Sequence, residues 1–370
     1  MCERGRRGHK NYSKEEEIVN STGFKPLLEV YMRTLLLPDR VIRDIVSMRE
    51  VIDAVEGAFR EKALGRVQMP AKTYLFYDEL GDLRVMPCYM QASKISTVKI
   101  VNSHPGNRGK GLPTVMAIIL LIDPETGFPK SIMGGTWVTG MRTGAAGAIA
   151  AKYLARRNSR IAAFVGAGAQ ARMQLRGLLE VMNQLEEVRV FDVRPEARES
   201  FTRFLEENHP GRLSAIQASS VKDAVKDADI IVTTTPSRKP IVSDEWVPDG
   251  VHFNCIGADA PGKQELDPRI LKRASKIVVD DLEQAIHAGE VNVPVSLRIL
   301  KRSDIYGELG EVVAGLKKGR ESDDEITVFA STGLAIQDAV TANLVYEKAV
   351  EKGLGTPVEF VGLEGRQAMK

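Results

Sequence analysis

Gly166, Gly168 and Ala171 stand in the spacing GxGxxA directly after the apolar run Ile161–Val165, the arrangement a backbone needs to seat a pyrophosphate. The first glycine permits a tight turn and the second lets the main chain approach the phosphates. The small third residue lets the following helix, opening at Ala169 and Gln170, pack closely and turn its N-terminus toward the negative charge. The spacing alone is a weak signal; a strand before it and a helix after it give it force. An acid ending the next strand would hold the adenosine ribose. Phe191-Asp192-Val193-Arg194 places Asp192 26 positions after Gly166, a little beyond the usual spacing of about 20. Asp192 would repel a 2′-phosphate and select NAD over NADP. Arg194 nearby pulls the other way, and the balance favours NAD.

Two further stretches end apolar runs with small or polar residues: Thr233-Thr234-Thr235-Pro236-Ser237 and Cys255-Ile256-Gly257-Ala258-Asp259. In an open parallel sheet ligands lie beyond the carboxyl ends of the strands, so Thr234, Thr235, Pro236, Gly257 and Ala258 are expected to line the same cofactor cleft.

The elements that must carry these residues follow from hydrophobic period. Strand-like runs at 161–165, 188–192, 230–234, 251–256 and 276–279, with helical stretches at 170–182 and 196–207, predict βαβ units and a parallel sheet. A late strand over 326–329 precedes a helix over 334–350. Before position 142 the text differs. Met48, Val51, Ile52, Val55 and Phe59 recur at helical spacing from Met48 to about Leu64, with a Ser47/Glu50 capping box and Gly65 as the stop. Short β-like runs over 73–77, 83–86, 97–101 and 115–123 have no helices between them, so this meander should be antiparallel or mixed. The small residues Thr143-Gly144-Ala145-Ala146-Gly147-Ala148 read as a helix packed closely on a neighbour.

Composition bounds the rest. At 370 residues, 43% hydrophobic and 27% charged, the chain reads as a globular protein of about two domains. A net charge of +2 offers no basic field for nucleic acid or an anionic membrane. The apolar run Thr114–Ile122 is far short of the roughly 20 residues that span a bilayer. Cys2, Cys88 and Cys255 show neither metal spacing nor a disulfide framework, and the five histidines include no ligand pair, so no metal is expected and a reducing cytoplasm fits. Residues 1–31 read as a disordered or loosely attached extension.

Together these residues resemble the ornithine cyclodeaminase/mu-crystallin family, and within it the archaeal-type NAD-dependent alanine dehydrogenases. The likeness runs from about Met32 to Val361. It rests on Val98-Lys99-Ile100-Val101-Asn102-Ser103-His104-Pro105, Met141-Arg142-Thr143-Gly144-Ala145-Ala146, the Gly166 motif, Gly257-Ala258-Asp259-Ala260-Pro261-Gly262-Lys263, Gly310-Glu311-Val312 and Ser331-Thr332-Gly333, all in the same order. The resemblance implies a homodimer. Its Rossmann-type doubly wound parallel sheet, residues 156–335, would be inserted in a discontinuous α+β substrate and dimerisation domain of residues 32–155 plus 336–370. It also implies that Lys99 is the catalytic lysine, Asp259 the catalytic aspartate, and Lys72 and Arg84 the holders of the substrate carboxylate. Arg142, with Thr143 beside it, would lie at the cofactor phosphates near the substrate, and Lys263, Ser331 and Gly333 would contact the cofactor.

Elementary chemistry agrees in outline. Oxidising an amino acid requires a cation on the carboxylate, a hydride acceptor against Cα, and groups that move protons for the amine and the attacking water. The planar fork of Arg84 suits a carboxylate. Asp259 at a strand end could accept a proton. Lys99 could polarise the imine or carbinolamine, its own pKa shifted among neighbouring cations. The resemblance further implies that cyclodeaminases carry a Glu just before a Met-Pro pair, where this chain reads Leu83-Arg84-Val85-Met86-Pro87. Two like charges about 4 Å apart repel by about 4 kcal/mol at an effective dielectric of about 20, so Arg84 disfavours ornithine and favours a short neutral side chain. The expected reaction is NAD-dependent deamination of L-alanine to pyruvate and ammonia. The alternatives are a cyclodeaminase and a ketimine reductase or mu-crystallin-like binding protein.

Overall fold

The computed structural model describes residues 33–361. The extension expected over 1–31 lies outside the described residues, as do positions 362–370. Two eight-stranded sheets make up the frame.

The first sheet contains β1 (Thr34–Leu37), β2 (Val67–Gln68), β3 (Thr73–Phe76), β4 (Asp82–Met90), β5 (Ile95–Ser103), β6 (Val115–Ile122), β7 (Pro129–Gly134) and β16 (Thr356–Val358). Its order is β16-β1-β7-β6-β5-β4-β2, with β3 on β4. The consecutive strands β4 to β7 pair antiparallel, as hairpin connections allow, and β1 joins β7 in parallel. Period-2 alternation gives this sheet two distinct faces. Arg84, Met86, Cys88 and Met90 of β4 and Thr97, Lys99 and Val101 of β5 point inward. The expected meander is therefore present, with β4 and β5 longer than their apolar alternation and β3 and β6 one residue shorter. The alternation missed β1, β2, β7 and β16: Leu35-Leu36-Leu37 does not alternate, Pro129 and Lys130 mask the start of β7, and β2 and β16 are only two and three residues long.

The second sheet is parallel throughout: β8 (Ile161–Val165), β9 (Glu187–Phe191), β10 (Ser214–Gln217), β11 (Ile230–Thr233), β12 (His252–Cys255), β13 (Lys276–Val279), β14 (Gly307–Glu308) and β15 (Thr327–Ala330), in the order β10-β9-β8-β11-β12-β15-β13-β14. Strands buried on both faces read as continuous apolar runs, as in Ile230-Ile231-Val232 and Ile277-Val278-Val279. From the central β8 the chain winds outward through β9 and β10, then returns to add β11 and β12 on the other side. That reversal is the doubly wound switch point, where ligands bind.

Five longer helices pack on and between the sheets: α1 (Met48–Ala63), α2 (Thr136–Leu154), α3 (Ala169–Val181), α4 (Pro195–Asn208) and α5 (Ala335–Glu351). Ser47 caps α1 through the capping box that the spacing predicts. The small residues of α2 serve close packing. A Cβ on Gly144 would stand 2.3 Å from the Met173 carbonyl oxygen of α3, and one on Gly177 would stand 2.4 Å from the Gly144 oxygen. Helix α5 returns from the parallel sheet to lie on the inner face of β4 and β5. No helix among the described residues is long and apolar enough to cross a membrane.

Candidate active site

The turn between β8 and α3 has the conformation its glycines predict. Gly166 holds φ +99°, where a Cβ would lie 2.8 Å from Thr234 Oγ1, and Thr234 Oγ1 donates to the Gly166 carbonyl at 3.1 Å. Gly168, in contrast, faces open space, with nothing within 4 Å of an added Cβ. No side chain caps the N-terminus of α3, so its first-turn N–H groups remain available for an anion. Gln170 Oε1 is buried beside this turn without a donor. Asp192 follows β9 and accepts from the Ala167 N–H at 3.0 Å and the Arg194 N–H at 3.0 Å. Burial pushes its carboxyl up, but those two N–H groups and the Arg194 guanidinium hold it below the usual range. Val193 projects into solvent. An empty space in front of Gly168, an uncapped helix and a carboxylate at the adjacent strand end fit a dinucleotide.

Thr235, Gly257 and the strand ends behind them are tied by one acid. Glu265, fully buried, accepts from Thr233 Oγ1 at 2.7 Å, Thr235 N–H at 2.6 Å, Thr235 Oγ1 at 2.8 Å and Gly257 N–H at 3.0 Å. Gly257 lies so close to the next turn that a Cβ would stand 2.1 Å from the Thr235 oxygen. The turns containing Thr234-Thr235-Pro236 and Gly257-Ala258-Asp259 are thereby held backbone to backbone.

Asp259 ends the second turn between two cations. Lys263 Nζ donates to its Oδ1 at 2.6 Å, and Arg84 NH1 donates to its Oδ2 at 3.0 Å. Burial pushes the Asp259 carboxyl up, yet Lys263 and Arg84 outweigh it and leave the group far below the usual carboxylate range. In this arrangement Asp259 holds cations and is a poor proton acceptor. Arg84 reaches it from the inner face of β4, its Nε and NH2 gripping Asp82 at 2.8 and 3.1 Å and its guanidinium 5.4 Å above the Tyr74 ring. Lys263, expected at the cofactor, is thus engaged by Asp259 and by the Gly257 carbonyl.

A second charged group lies beside the first. Lys99 Nζ is 2.6 Å from Asp338 Oδ2, and Arg142 Nε of α2 donates to Asp338 Oδ1 at 2.9 Å. Arg142 NH1 donates to Gln337 Oε1 at 2.9 Å. Burial and the neighbouring Arg142, opposed by Asp338, bring the Lys99 ammonium down to about 7. Lys72, in the connection between β2 and β3, donates to the Thr332 carbonyl at 2.6 Å. Burial lowers it to about 8, with Asp280 opposing and Arg84 assisting. Arg84 pairs with Val101, two positions from Lys99 on the inner face of the neighbouring strand, and Arg84 holds Asp259, so the structure brings Lys99 and Asp259 to the same side of the first sheet.

Asp280, at the end of β13, orders the turn that presents Ser331 and Gly333. It accepts from Thr332 N–H at 2.6 Å, Gly333 N–H at 2.7 Å and Thr332 Oγ1 at 2.9 Å, with Ser331 Oγ at 3.3 Å. Gly333 has φ +78°, and a Cβ there would stand 2.7 Å from Arg142 NH1. Thr143 donates its hydroxyl to Thr139 within α2. Asp82, Asp280, Glu265, Gln337 and Asp338 escaped the reading of the sequence. The strand-end rule that found Asp259 would have found Asp280. Asp338 carried no such signal, because one acid in the first turn of an apolar helix reads as ordinary dipole matching.

The profile of the ornithine cyclodeaminase/mu-crystallin family matches residues 33–353. An alanine dehydrogenase from Archaeoglobus fulgidus is 52% identical over 329 residues, covering 89% of this chain and 99% of that protein. Among solved structures, an archaeal alanine dehydrogenase dimer with bound NAD is similar with a TM-score of 0.85 at 52% identity, covering 89% of this chain and 100% of that one. A Thermococcus litoralis Δ1-pyrroline-2-carboxylate reductase in complex with NADH and L-proline also gives 0.85, at 40% identity, covering 88% and 100%.

Proposed function

The chain belongs to the ornithine cyclodeaminase/mu-crystallin family, and on that premise we propose that it is an NAD-dependent oxidoreductase that deaminates L-alanine to pyruvate and ammonia and runs the reverse amination. The observation that carries this reading is the charge inventory of the site. Lys72, Arg84, Lys99, Arg142 and Lys263 face Asp82, Asp259, Asp280 and Asp338, and each of these acids already has a cation or several N–H and O–H donors as partners. With all three lysines protonated, one positive charge is left over. A carboxylate neutralises it, whereas the second ammonium of ornithine finds no free acid. That supports a substrate with one carboxylate and a short neutral side chain.

Gly166, Gly168, Ala169, Gln170, Asp192, Val193, Arg194, Thr234, Thr235, Pro236, Gly257, Ala258, Lys263, Ser331, Gly333, Arg142 and Thr143 would hold NAD, which when bound supplies the hydride acceptor. In this reading residues 156–335 bind the nucleotide, and 32–155 with 336–370 form the substrate part.

Lys72 and Arg84 take the substrate carboxylate. Because Asp82 occupies two edges of Arg84 and Asp259 the third, an incoming carboxylate competes with Asp259. Asp259 then keeps Lys263 alone, its proton affinity rises, and it can accept the proton of the water that attacks the imine. Lys99, titrating near neutrality, exchanges protons with the substrate nitrogen and with the carbinolamine oxygen. Reduction of a cyclic imine would use the same groups without the water step. The similarity to the pyrroline-carboxylate reductase structure favours this as the second reading.

A second copy of the chain would cover the outer face of the first sheet. Across that face Val85, Ile100 and Ile118 align from strand to strand, as do Pro87, Val98, Leu120 and Ile132, and Ile118 is 47% exposed. A contiguous apolar face of this kind marks an association surface.

Purified full-length protein with NAD and L-alanine should yield NADH and pyruvate in equal amounts, and little proline from L-ornithine. NADH formation from alanine no faster than in Lys99→Ala would sink the assignment. Faster turnover of Δ1-pyrroline-2-carboxylate with NADH would replace it by the second reading.

A further inference from the structure

We propose that Asp338 is the positioning residue of this site, one carboxylate shared between Lys99 and Arg142 that fixes where the lysine points and keeps it able to titrate. The inference rests on the role given to Lys99 above. It starts from a helix that the sequence marks only as apolar. Helix α5 begins after Leu334, whose N–H donates to Gln337 Oε1 at 3.2 Å, and the same oxygen accepts from Arg142 NH1. Gln337 therefore locks the first turn onto Arg142, and Asp338, one residue on, projects between the two cations. Its Oδ1 is 2.9 Å from Arg142 Nε and its Oδ2 2.6 Å from Lys99 Nζ. Asp338 is 0% exposed and Lys99 1%. With Oδ1 hydrogen-bonded to Arg142 and Oδ2 otherwise unpartnered beside the Lys99 ammonium, Asp338 acts through Lys99 and not on a substrate.

The groups around Lys99 show why such a residue is needed. Arg142 faces it from α2, Lys72 from the connection between β2 and β3, and Asp338 from α5. On β4, Met86 stands opposite Lys99, and the Cys88 thiol, two positions on, is pushed up to about 12 by burial and stays neutral. Among the described residues named here, Asp338 supplies the one negative charge against three cations. A buried lysine flanked by two cations and no anion would lose its proton far below neutrality. The shared carboxylate opposes that loss, and Lys99 stays near 7. It also fixes the ammonium on one side, which leaves the remaining N–H directions for the reacting nitrogen or oxygen.

The test is the titration of Lys99 itself, followed by NMR in full-length protein carrying labelled lysine side chains, with the signal assigned by its loss in Lys99→Met. In Asp338→Asn the Lys99 titration should fall by at least one pH unit, and in Asp338→Glu it should return toward the wild-type value. Arg142→Gln should move it the opposite way, upward, because Asp338 then serves Lys99 alone. This reciprocal variant keeps the proposal open to refutation if Asp338→Asn does not fold. Where alanine is turned over, the pH limb of kcat/KM should shift with the NMR titration in each variant, while KM for NAD changes less than threefold in the two Asp338 variants. A Lys99 titration in Asp338→Asn equal to wild type, or no upward shift in Arg142→Gln, overturns the inference. An inactive wild-type enzyme whose Lys99 still responds to both substitutions overturns the proposed function and leaves this inference standing.

Discussion

Arg84 and Asp259, 175 positions apart in the chain, meet through a hydrogen bond of 3.0 Å that joins the inner face of β4 to the turn after β12. One contact thus links the substrate side of the molecule to the end of the parallel sheet. Every polar edge of the guanidinium is in use, since Asp82 takes Nε and NH2. Lysine, a point charge without the planar fork, cannot serve both acids at once. Arg84→Lys is therefore expected to lower kcat/KM for L-alanine by roughly 100-fold, about 2.7 kcal/mol. Steady-state rates across L-alanine concentrations check this, and a loss under threefold would remove Arg84 from the substrate site.

The glycines of the first turn should separate folding from binding. Gly166→Ala puts a Cβ at φ +99° against Thr234, a strain of about 1–3 kcal/mol, and urea unfolding should show that loss. Gly168→Val points into open space at ordinary dihedrals. It should cost no more than about 0.5 kcal/mol while weakening NAD binding at least tenfold by calorimetry. Equal stability losses in the two variants would contradict the seating of a pyrophosphate at Gly168.

This difference between the two glycines also shows what the chain discloses by itself. A turn that needs a positive φ followed by a helix is a local pattern, legible within about ten residues. The doubly wound parallel sheet follows in the same way from apolar runs alternating with helical ones. Lys99 was legible through the resemblance of its segment to the family, and it falls on the inward row Ile95, Thr97, Lys99 and Val101. Its partner Asp338, 239 positions later, was not, because a counter-ion relation exists only once α5 has packed on β5. The same holds for Glu265, whose carboxylate joins two turns that alternation and turn chemistry can only treat one at a time.

His252 gives a pH dependence with a definite sign. It is fully buried in β12, its ring nitrogens on Thr327 Oγ1 and Asn254 Oδ1. Burial, assisted by the Arg320 charge, lowers it from 6.5 to about 3. Between those values the unfolded chain binds a proton that the folded protein refuses. This group's contribution is therefore intact above pH 6.5 and lost as pH falls toward 3. At pH 5 the loss amounts to about 2 kcal/mol. Urea unfolding at pH 7 and pH 5 should show a smaller drop in His252→Gln than in wild type; equal drops would mean that the buried ring is not the cause.

The outer face of the first sheet offers a test of assembly. Ile118 ends the row Val85, Ile100, Ile118, on the third of four antiparallel strands. A carboxylate placed there stays solvated in a lone subunit but is desolvated between two apolar sheets. Ile118→Asp should convert the proposed dimer to a folded monomer in sedimentation velocity, with far-UV circular dichroism unchanged. A variant that remains dimeric would move the interface elsewhere on the molecule.

Cofactor choice should turn on Asp192 and Arg194 together. The Asp192 carboxylate, fixed by the Ala167 and Arg194 N–H groups, stands at the end of β9, and the Arg194 Nε is 3.4 Å from it. In wild type the carboxylate would repel a 2′-phosphate while engaging the arginine that could otherwise neutralise it. Asp192→Ser removes both effects, since the repelling charge is gone and the guanidinium is free to meet a phosphate. The ratio of kcat/KM for NADP to that for NAD should rise at least tenfold in Asp192→Ser. The double variant Asp192→Ser/Arg194→Ala should lose most of that gain, because the cation that receives the phosphate has been removed. If the single variant weakens NAD without improving NADP, Arg194 does not reach the ribose, and selection against the phosphate comes from space and not from charge.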